Sequence, residues 1–229
     1  MICPRCSRVT ADMEERCECG YRFVVRADEL ADWYEDYRRW VEKAYLAAET
    51  AWQQSGKSGN FEEWTRLRIP ICECIERSGT FLDVGCANGF LLECLLAWTR
   101  LKGIEITPYG LDMSARLVEL ARERLPQFPD HLFVGNALDW QPPVRFDYVR
   151  TSIEYVPLNM RRDFLHRLLG EFVSEGGTLL VAQYRSTRED LTRDWIDEYL
   201  CEMGFNVTGY TRGFSREGLE KCRVAMVKR

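Results

Sequence analysis

Thr80-Phe81-Leu82-Asp83-Val84-Gly85-Cys86-Ala87-Asn88-Gly89-Phe90-Leu91-Leu92 decides how the chain is read. Phe81 to Val84 is short, apolar and bounded by turn residues, which predicts a buried strand. Gly85 to Gly89 then forms a glycine turn, and the apolar run from Phe90 opens a helix. A strand passing through a tight glycine turn into a helix starts a βαβ unit, and glycine lets a ligand approach the backbone closely. The free N–H groups at the helix start add a preference for anionic or polar ligand groups. Together these features predict a nucleotide-like cofactor site. The glycines are spaced G-x-x-x-G, without the fuller set that a dinucleotide pyrophosphate requires. Asp83, at the strand end, would repel a pyrophosphate and suit an ammonium or sulfonium group.

The run F-L-D-V-G-C-A-N-G-F-L-L resembles the first motif of class I S-adenosylmethionine-dependent methyltransferases, a hydrophobic run followed by Asp or Glu and G-x-G-x-G. Ala87 stands where the middle glycine usually lies. The resemblance covers roughly residues 60–229. It implies a Rossmann-like α/β fold, a seven-stranded mostly parallel sheet with helices on both faces, over residues 79–229, with S-adenosylmethionine as co-substrate. Gly85, Cys86, Ala87 and Gly89 would form the cofactor turn, with Asp83 beside it.

Later segments follow in the order the resemblance requires. Tyr109 to Met113 reads as the second strand and its end, placing Asp112 29 residues beyond Asp83. An acidic side chain there can accept both ribose hydroxyls of an adenosine, and Met113 follows it. Ser114 caps an amphipathic helix that stops at Pro126. His131 to Leu138 reads as the third strand; Asn136-Ala137 takes the place of the family's Asp-Ala pair at the adenine edge, and the carboxamide oxygen of Asn136 can still accept from the adenine amino group. Arg145 to Ser152 is the fourth strand, so Thr151 and the loop Ile153-Glu154-Tyr155 would pass the methionine part and the transferable methyl. Further on, Arg161–Val173 reads as a helix, Gly176-Gly177 as a turn and Thr178–Gln183 as the fifth strand. Leu191–Met203 reads as another helix, and Phe205–Tyr210 and Arg223–Val227 as two closing strands.

Cys3-Pro4-Arg5-Cys6 and Cys17-Glu18-Cys19-Gly20 are two tight cysteine pairs separated by ten residues. Four thiolates in this pattern can satisfy tetrahedral zinc, and Gly20 suits the turn of such a knuckle. Residues 1–25 therefore read as a zinc-ribbon-like segment with Cys3, Cys6, Cys17 and Cys19 as ligands, whose folding free energy the metal would supply. Residues 26–78 read as a helical lid segment. Over residues 27–54, Trp33, Tyr34, Tyr37, Trp40, Val41, Tyr45 and Trp52 recur at helical spacing; the stripe is either core packing or a wall of the substrate pocket. The loop Ser55 to Asn60 contains Gly-Lys-Ser but lacks the earlier glycine and strand of a phosphate loop. Phe61 to Arg77 reads as a helix broken near Pro70, from which Arg66 or Arg68 could grip the cofactor carboxylate. Cys72 and Cys74 read as plain helix residues.

The chain of 229 residues carries a net charge of −5 and ten unevenly placed cysteines. It has no apolar run near ~18 residues, so no membrane span is expected. With no apolar signal region at the N-terminus and uneven spacing, the cysteines are expected to lie in the reducing cytoplasm. The acidic balance disfavours broad nucleic-acid binding. Methyl transfer needs acceptor and methyl held in line, with a general base where the acceptor carries a proton; Glu154, Tyr155 and His166 are the candidates, Tyr155 foremost. The leading expectation is a methyltransferase for a small-molecule acceptor. The rivals are an RNA or protein methyltransferase docked through the ribbon, and a non-catalytic cofactor-binding protein using the ribbon for protein contacts.

Overall fold

The computed structural model describes residues 3, 6, 8, 14–56, 59–185 and 194–229. Seven strands form one sheet in the order β3-β2-β1-β4-β5-β7-β6. They are β1 (Gly79–Val84), β2 (Ile106–Asp112), β3 (Leu132–Val134), β4 (Phe146–Thr151), β5 (Val173–Tyr184), β6 (Val207–Phe214) and β7 (Glu220–Lys228). The first five run parallel, and β7 inserts antiparallel between β5 and β6. Strand order reverses between β1 and β4, and in open α/β sheets the crevice at the carboxyl ends of two such strands is where ligands bind.

Helices cover both faces, as expected of a largely parallel sheet. They are α1 (Leu30–Leu46), α2 (Phe61–Arg66), α3 (Ile69–Glu73), α4 (Phe90–Leu101), α5 (Ala115–Arg124), α6 (Arg161–Arg167) and α7 (Ile196–Glu202). Leu82, Val84, Val149, Leu179 and Val181 project to one face and pack with Trp33 and Tyr34 of α1, α6 and α7. Phe81, Tyr148, Leu180 and Ala182 project to the other and pack under α2 to α5. Strand alternation sets this sorting. It also decides which polar residues at the strand ends share a side: Asp83, Arg150 and Tyr184 continue the rows of Phe81, Tyr148 and Ala182.

Several boundaries differ from the sequence reading for identifiable reasons. The first helix ends at Leu46, because residues 51 and 54 turn to bind the Asn88 amide, which donates to Ala51 O (3.0 Å) and Gln54 Oε1 (3.2 Å). The break near Pro70 separates α2 from α3, with Asn60 capping α2 through Glu63 N–H (2.8 Å). Gly176-Gly177 is not a turn between elements; it lies in a bulge within β5, where Phe146 pairs with Val173 but Tyr148 with Thr178. The expected helix Arg161–Val173 runs unbroken to Phe172, α6 passing into a wider π-helical stretch at Leu168–Phe172, and Val173 begins β5. Of the expected helix from Leu191, residues 191–193 lie outside the described residues, as do Lys57 and Ser58 of the rejected phosphate loop.

Candidate active site

The turn after β1 adopts the conformation its sequence asks for. Gly85 and Gly89 have φ of 82° and 73°, and Ala87 has φ of 47°, left-handed although it carries a Cβ. An alanine there costs about 1 kcal/mol relative to glycine. The turn is compensated from β2: one oxygen of Asp112 accepts from Ala87 N–H at 2.9 Å and the other from Ser114 N–H at 2.9 Å. Burial pushes the Asp112 carboxyl up, and these backbone donors oppose that. Ser114 in turn caps α5 by accepting from Leu117 N–H (3.2 Å), and its hydroxyl donates to Glu42 of α1 (2.7 Å).

Around this turn opens a cavity of ≈ 560 Å³, within the range of small-molecule sites. Asp83, Gly85, Cys86, Ala87, Asp112, Met113, Asn136 and Ala137 line it, as do Arg68, Glu154 and Tyr155. The fold therefore brings together all but two of the expected cofactor residues. Gly89 and Thr151 stand outside the wall. Gly89 starts α4 and abuts α5, where an added Cβ would lie 3.0 Å from Ala121 Cβ. Thr151 has the opposite parity to Arg150 and is buried on the α6 face of the sheet; the neighbouring Ser152 lines the cavity instead. The aromatic stripe of α1 serves both expected purposes. Trp33 and Tyr34 belong to the core, while Tyr37, Trp40, Val41 and Tyr45 roof the cavity.

A buried polar row crosses the floor. Arg150 donates to Asp83 Oδ1 (3.0 Å), to the Tyr155 hydroxyl (3.2 Å) and to the Tyr184 hydroxyl (3.3 Å). Asp83 and Arg150 have side chains 1% and 5% exposed. The sequence reading left Asp83 without a protein partner; Arg150 supplies one. Burial raises the Asp83 carboxyl to about 6, against the pull of Arg150. Arg150 was visible in the sequence as the single cation in a buried strand, but only the β1–β4 register, which pairs Asp83 with Arg150, reveals its role. Beyond the row, Arg68 lies 4.0 Å over the Tyr184 ring. Arg66 points outward and pairs with Glu62 (2.6 Å), so the structure separates the two arginines.

Tyr155 packs its ring on Gly85, close enough that a Cβ there would lie 2.5 Å from a ring carbon. Burial pushes its phenol well above the ordinary value, with Arg150 opposing that. Burial also raises the Glu154 carboxyl, with Arg161 as the main opposing influence. A carboxylate raised toward neutrality is better suited to taking a proton. His166 packs against Phe205, 4.5 Å between ring centroids, away from the cavity wall.

At the far end of the chamber stands the cysteine knuckle. The sulfurs of Cys3, Cys6, Cys17 and Cys19 all lie within 4.8 Å of one another. Cys3–Cys19 and Cys6–Cys17 are each 3.5 Å apart. Four thiolates around zinc at ~2.3 Å would stand about 3.8 Å apart, so the donor set fits such an ion. Gly20 has φ of 87°, and its N–H donates to Cys17 O (2.8 Å), closing one knuckle turn. Cys72 and Cys74 are buried core residues.

No protein-family model matches the chain. Trans-aconitate 2-methyltransferases of Afipia carboxidovorans and Rhodopseudomonas palustris are 34% and 35% identical to it over 103 residues, 43% of this chain and 36% of each relative. The chain thus spans about a third of the length of these curated relatives. Among solved structures, the 1,6-didemethyltoxoflavin-N1-methyltransferase of Burkholderia thailandensis, with its toxoflavin precursor and S-adenosylhomocysteine bound, gives a TM-score of 0.63 at 13% identity over 90% of this chain and 92% of that one. The N-methyltransferase NodS of Bradyrhizobium japonicum, with S-adenosylhomocysteine, gives 0.57 at 14% identity over 84% and 97%. The fold is that of the class I S-adenosylmethionine-dependent methyltransferases. Among the described residues no helix is long and apolar enough to cross a membrane.

Proposed function

We propose that the chain is an S-adenosylmethionine-dependent methyltransferase acting on a small acceptor. The observation that carries this reading is the pair of acidic strand ends, Asp83 and Asp112, flanking a left-handed turn at the floor of a roofed cavity. Ser55 Oγ, Ser152 Oγ and Gln183 Oε1 line the same cavity, buried and without hydrogen-bond partners. A bound polar ligand, or water, would complete their hydrogen bonding.

Asp112 would hold the ribose hydroxyls, and Asn136 with Ala137 would meet the adenine edge. The Asn136 side-chain oxygen already accepts from Leu138 N–H (3.1 Å), which fixes its direction. The Asp83–Arg150 pair is a built dipole that would receive the amino acid part of the cofactor, ammonium toward Asp83 and carboxylate toward Arg150 and Arg68. When bound, the cofactor supplies an electrophilic methyl on a sulfonium. The cavity residues would hold the acceptor in line with that methyl. Glu154, on the cavity wall, would take the acceptor's proton. Tyr155, hydrogen-bonded to Arg150, would position groups near the turn without acting as the base. α1 covers one side of the chamber and narrows access to it, which suits a small molecule better than a polymer. The two curated relatives are named for a small tricarboxylate, and the toxoflavin enzyme for a small heterocycle, in keeping with this reading.

Calorimetry with S-adenosylhomocysteine tests the assignment. The chain should bind it, and Asp112→Ala should weaken binding at least tenfold. Absence of binding to intact protein would remove the methyltransferase reading, and equal affinity in the variant would remove the ribose role. We further infer that the knuckle holds one zinc ion. Elemental analysis should find about one zinc per chain; folded protein that contains none and takes up none would contradict this.

A further inference from the structure

The cysteine knuckle does not stand apart from the catalytic domain. Its inner face, Cys3, Tyr21 and Phe23, forms part of the cavity wall. Cys3 and Cys17 are 0% and 2% exposed, and Leu158 packs directly against their cluster. Leu158 N–H donates to Phe23 O at 2.8 Å. The next residue, Asn159, makes a reciprocal pair: its side-chain oxygen accepts from Val25 N–H (3.1 Å) and its amide donates to Val25 O (2.9 Å). On the other side, the Trp33 indole donates to Arg22 O (2.9 Å) and Tyr21 meets Trp33 edge-on at 6.0 Å. The segment after the cysteines is thus bonded both to the roof helix and to the loop 152–160.

That loop carries Glu154 and Tyr155. It leaves β4 at Ser152 and is held at its far end by the contacts of Leu158 and Asn159. The turn at Gly85 is held differently, by Asp112 from β2 and by residues 51 and 54 through Asn88. The turn therefore has backbone anchors of its own, and it meets the loop through the Tyr155 ring on Gly85.

We propose that the metal-bound knuckle is a clamp on the loop 152–160, so that metal occupancy sets the position of the Glu154 wall. This deepens the reading above and rests on it for assigning Glu154 to the acceptor side. A segment of so few residues has too little core to keep its shape alone, and cross-linking by metal supplies it. With the metal gone, Phe23 and Val25 lose their fixed positions, and the backbone bonds they make to Leu158 and Asn159 loosen with them. The knuckle then acts as a positioning element for the chemistry, its inward face serving the chamber.

The test is amide hydrogen exchange, read by mass spectrometry on the full-length protein, zinc-replete and after chelator treatment. Removing zinc should speed exchange in 152–160 at least tenfold, Leu158 N–H included. Segment 110–114, anchored from β2, should change less than twofold. Zinc-replete Asn159→Ala should reproduce the loop signature with one zinc retained. Asn159→Asp, which keeps the acceptor for Val25 N–H, should fall between. Unchanged exchange in 152–160 on zinc removal overturns the proposal. If stripping loosens the whole sheet, Asn159→Ala decides: loosening confined to 152–160 supports the clamp, and no loosening overturns it. Failure of zinc-replete protein to bind S-adenosylhomocysteine would count against the proposed function, while the exchange result would still decide the clamp.

Discussion

Gly85→Val should lower S-adenosylhomocysteine affinity at least a hundredfold while leaving a folded protein. Gly85 sits at φ of 82°, a region that a β-branched residue adopts only at a steep cost. The added side chain would also meet the Tyr155 ring, already 2.5 Å from the ideal Cβ position. Tyr155 would have to leave, breaking its contact with Arg150, and the turn would have to open, moving Ala87 N–H away from Asp112. Both movements fall in the part of the cavity that the cofactor's amino acid tail would occupy. The sheet below is held by Leu82, Val84 and their neighbours on both faces, so circular dichroism should show the fold retained, with a modest fall in Tm. Calorimetry supplies the decisive reading. Unchanged affinity would mean that the ligand does not approach this turn.

How much of this was legible in the sequence depends on the range of the interaction. The β1 turn, the capped α5 and the knuckle were legible because glycine, serine and cysteine at fixed short spacing act on their near neighbours. Asp112 was legible because its strand end follows the β1 motif at a distance set by one crossover. Arg150, Tyr184 and Glu42 were not. Their functions come from strand register and from helix docking, and neither is encoded in any local window. Thr151 shows the same limit in reverse. A shift of one residue along β4 moves a side chain to the other face, and only the observed pairing reveals that Ser152 reaches the cavity. The α1 stripe was ambiguous because one helix face can pack a core at its start and roof a chamber further along.

Replacing Arg150 tests the buried row, and it should be the more damaging substitution for stability. Arg150→Met keeps much of the volume but removes the cation beside Asp83. A buried ion pair adds little net stability when intact, yet leaving one partner alone costs about 3–5 kcal/mol. Urea denaturation at pH 7.5 should show a loss of that order. The sign of its pH dependence follows from Asp83. In the native protein the carboxyl is raised to about 6, against an ordinary value near 3.8, so the folded state holds the proton more tightly than the unfolded state. Stability from this group therefore falls as pH rises through the interval between those values and is regained on acidification. Without Arg150, the principal influence lowering that carboxyl is gone, and its value moves higher still. The deficit of Arg150→Met should accordingly shrink when the pH is lowered from 7.5 to 5, because a protonated Asp83 no longer needs a partner. Adding Asp83→Asn to the variant should recover most of the loss at pH 7.5, since neither charge then remains buried. A deficit equal at both pH values and untouched by the second substitution would show that Arg150 acts through packing alone, and Asp83 would then need a different counter-charge.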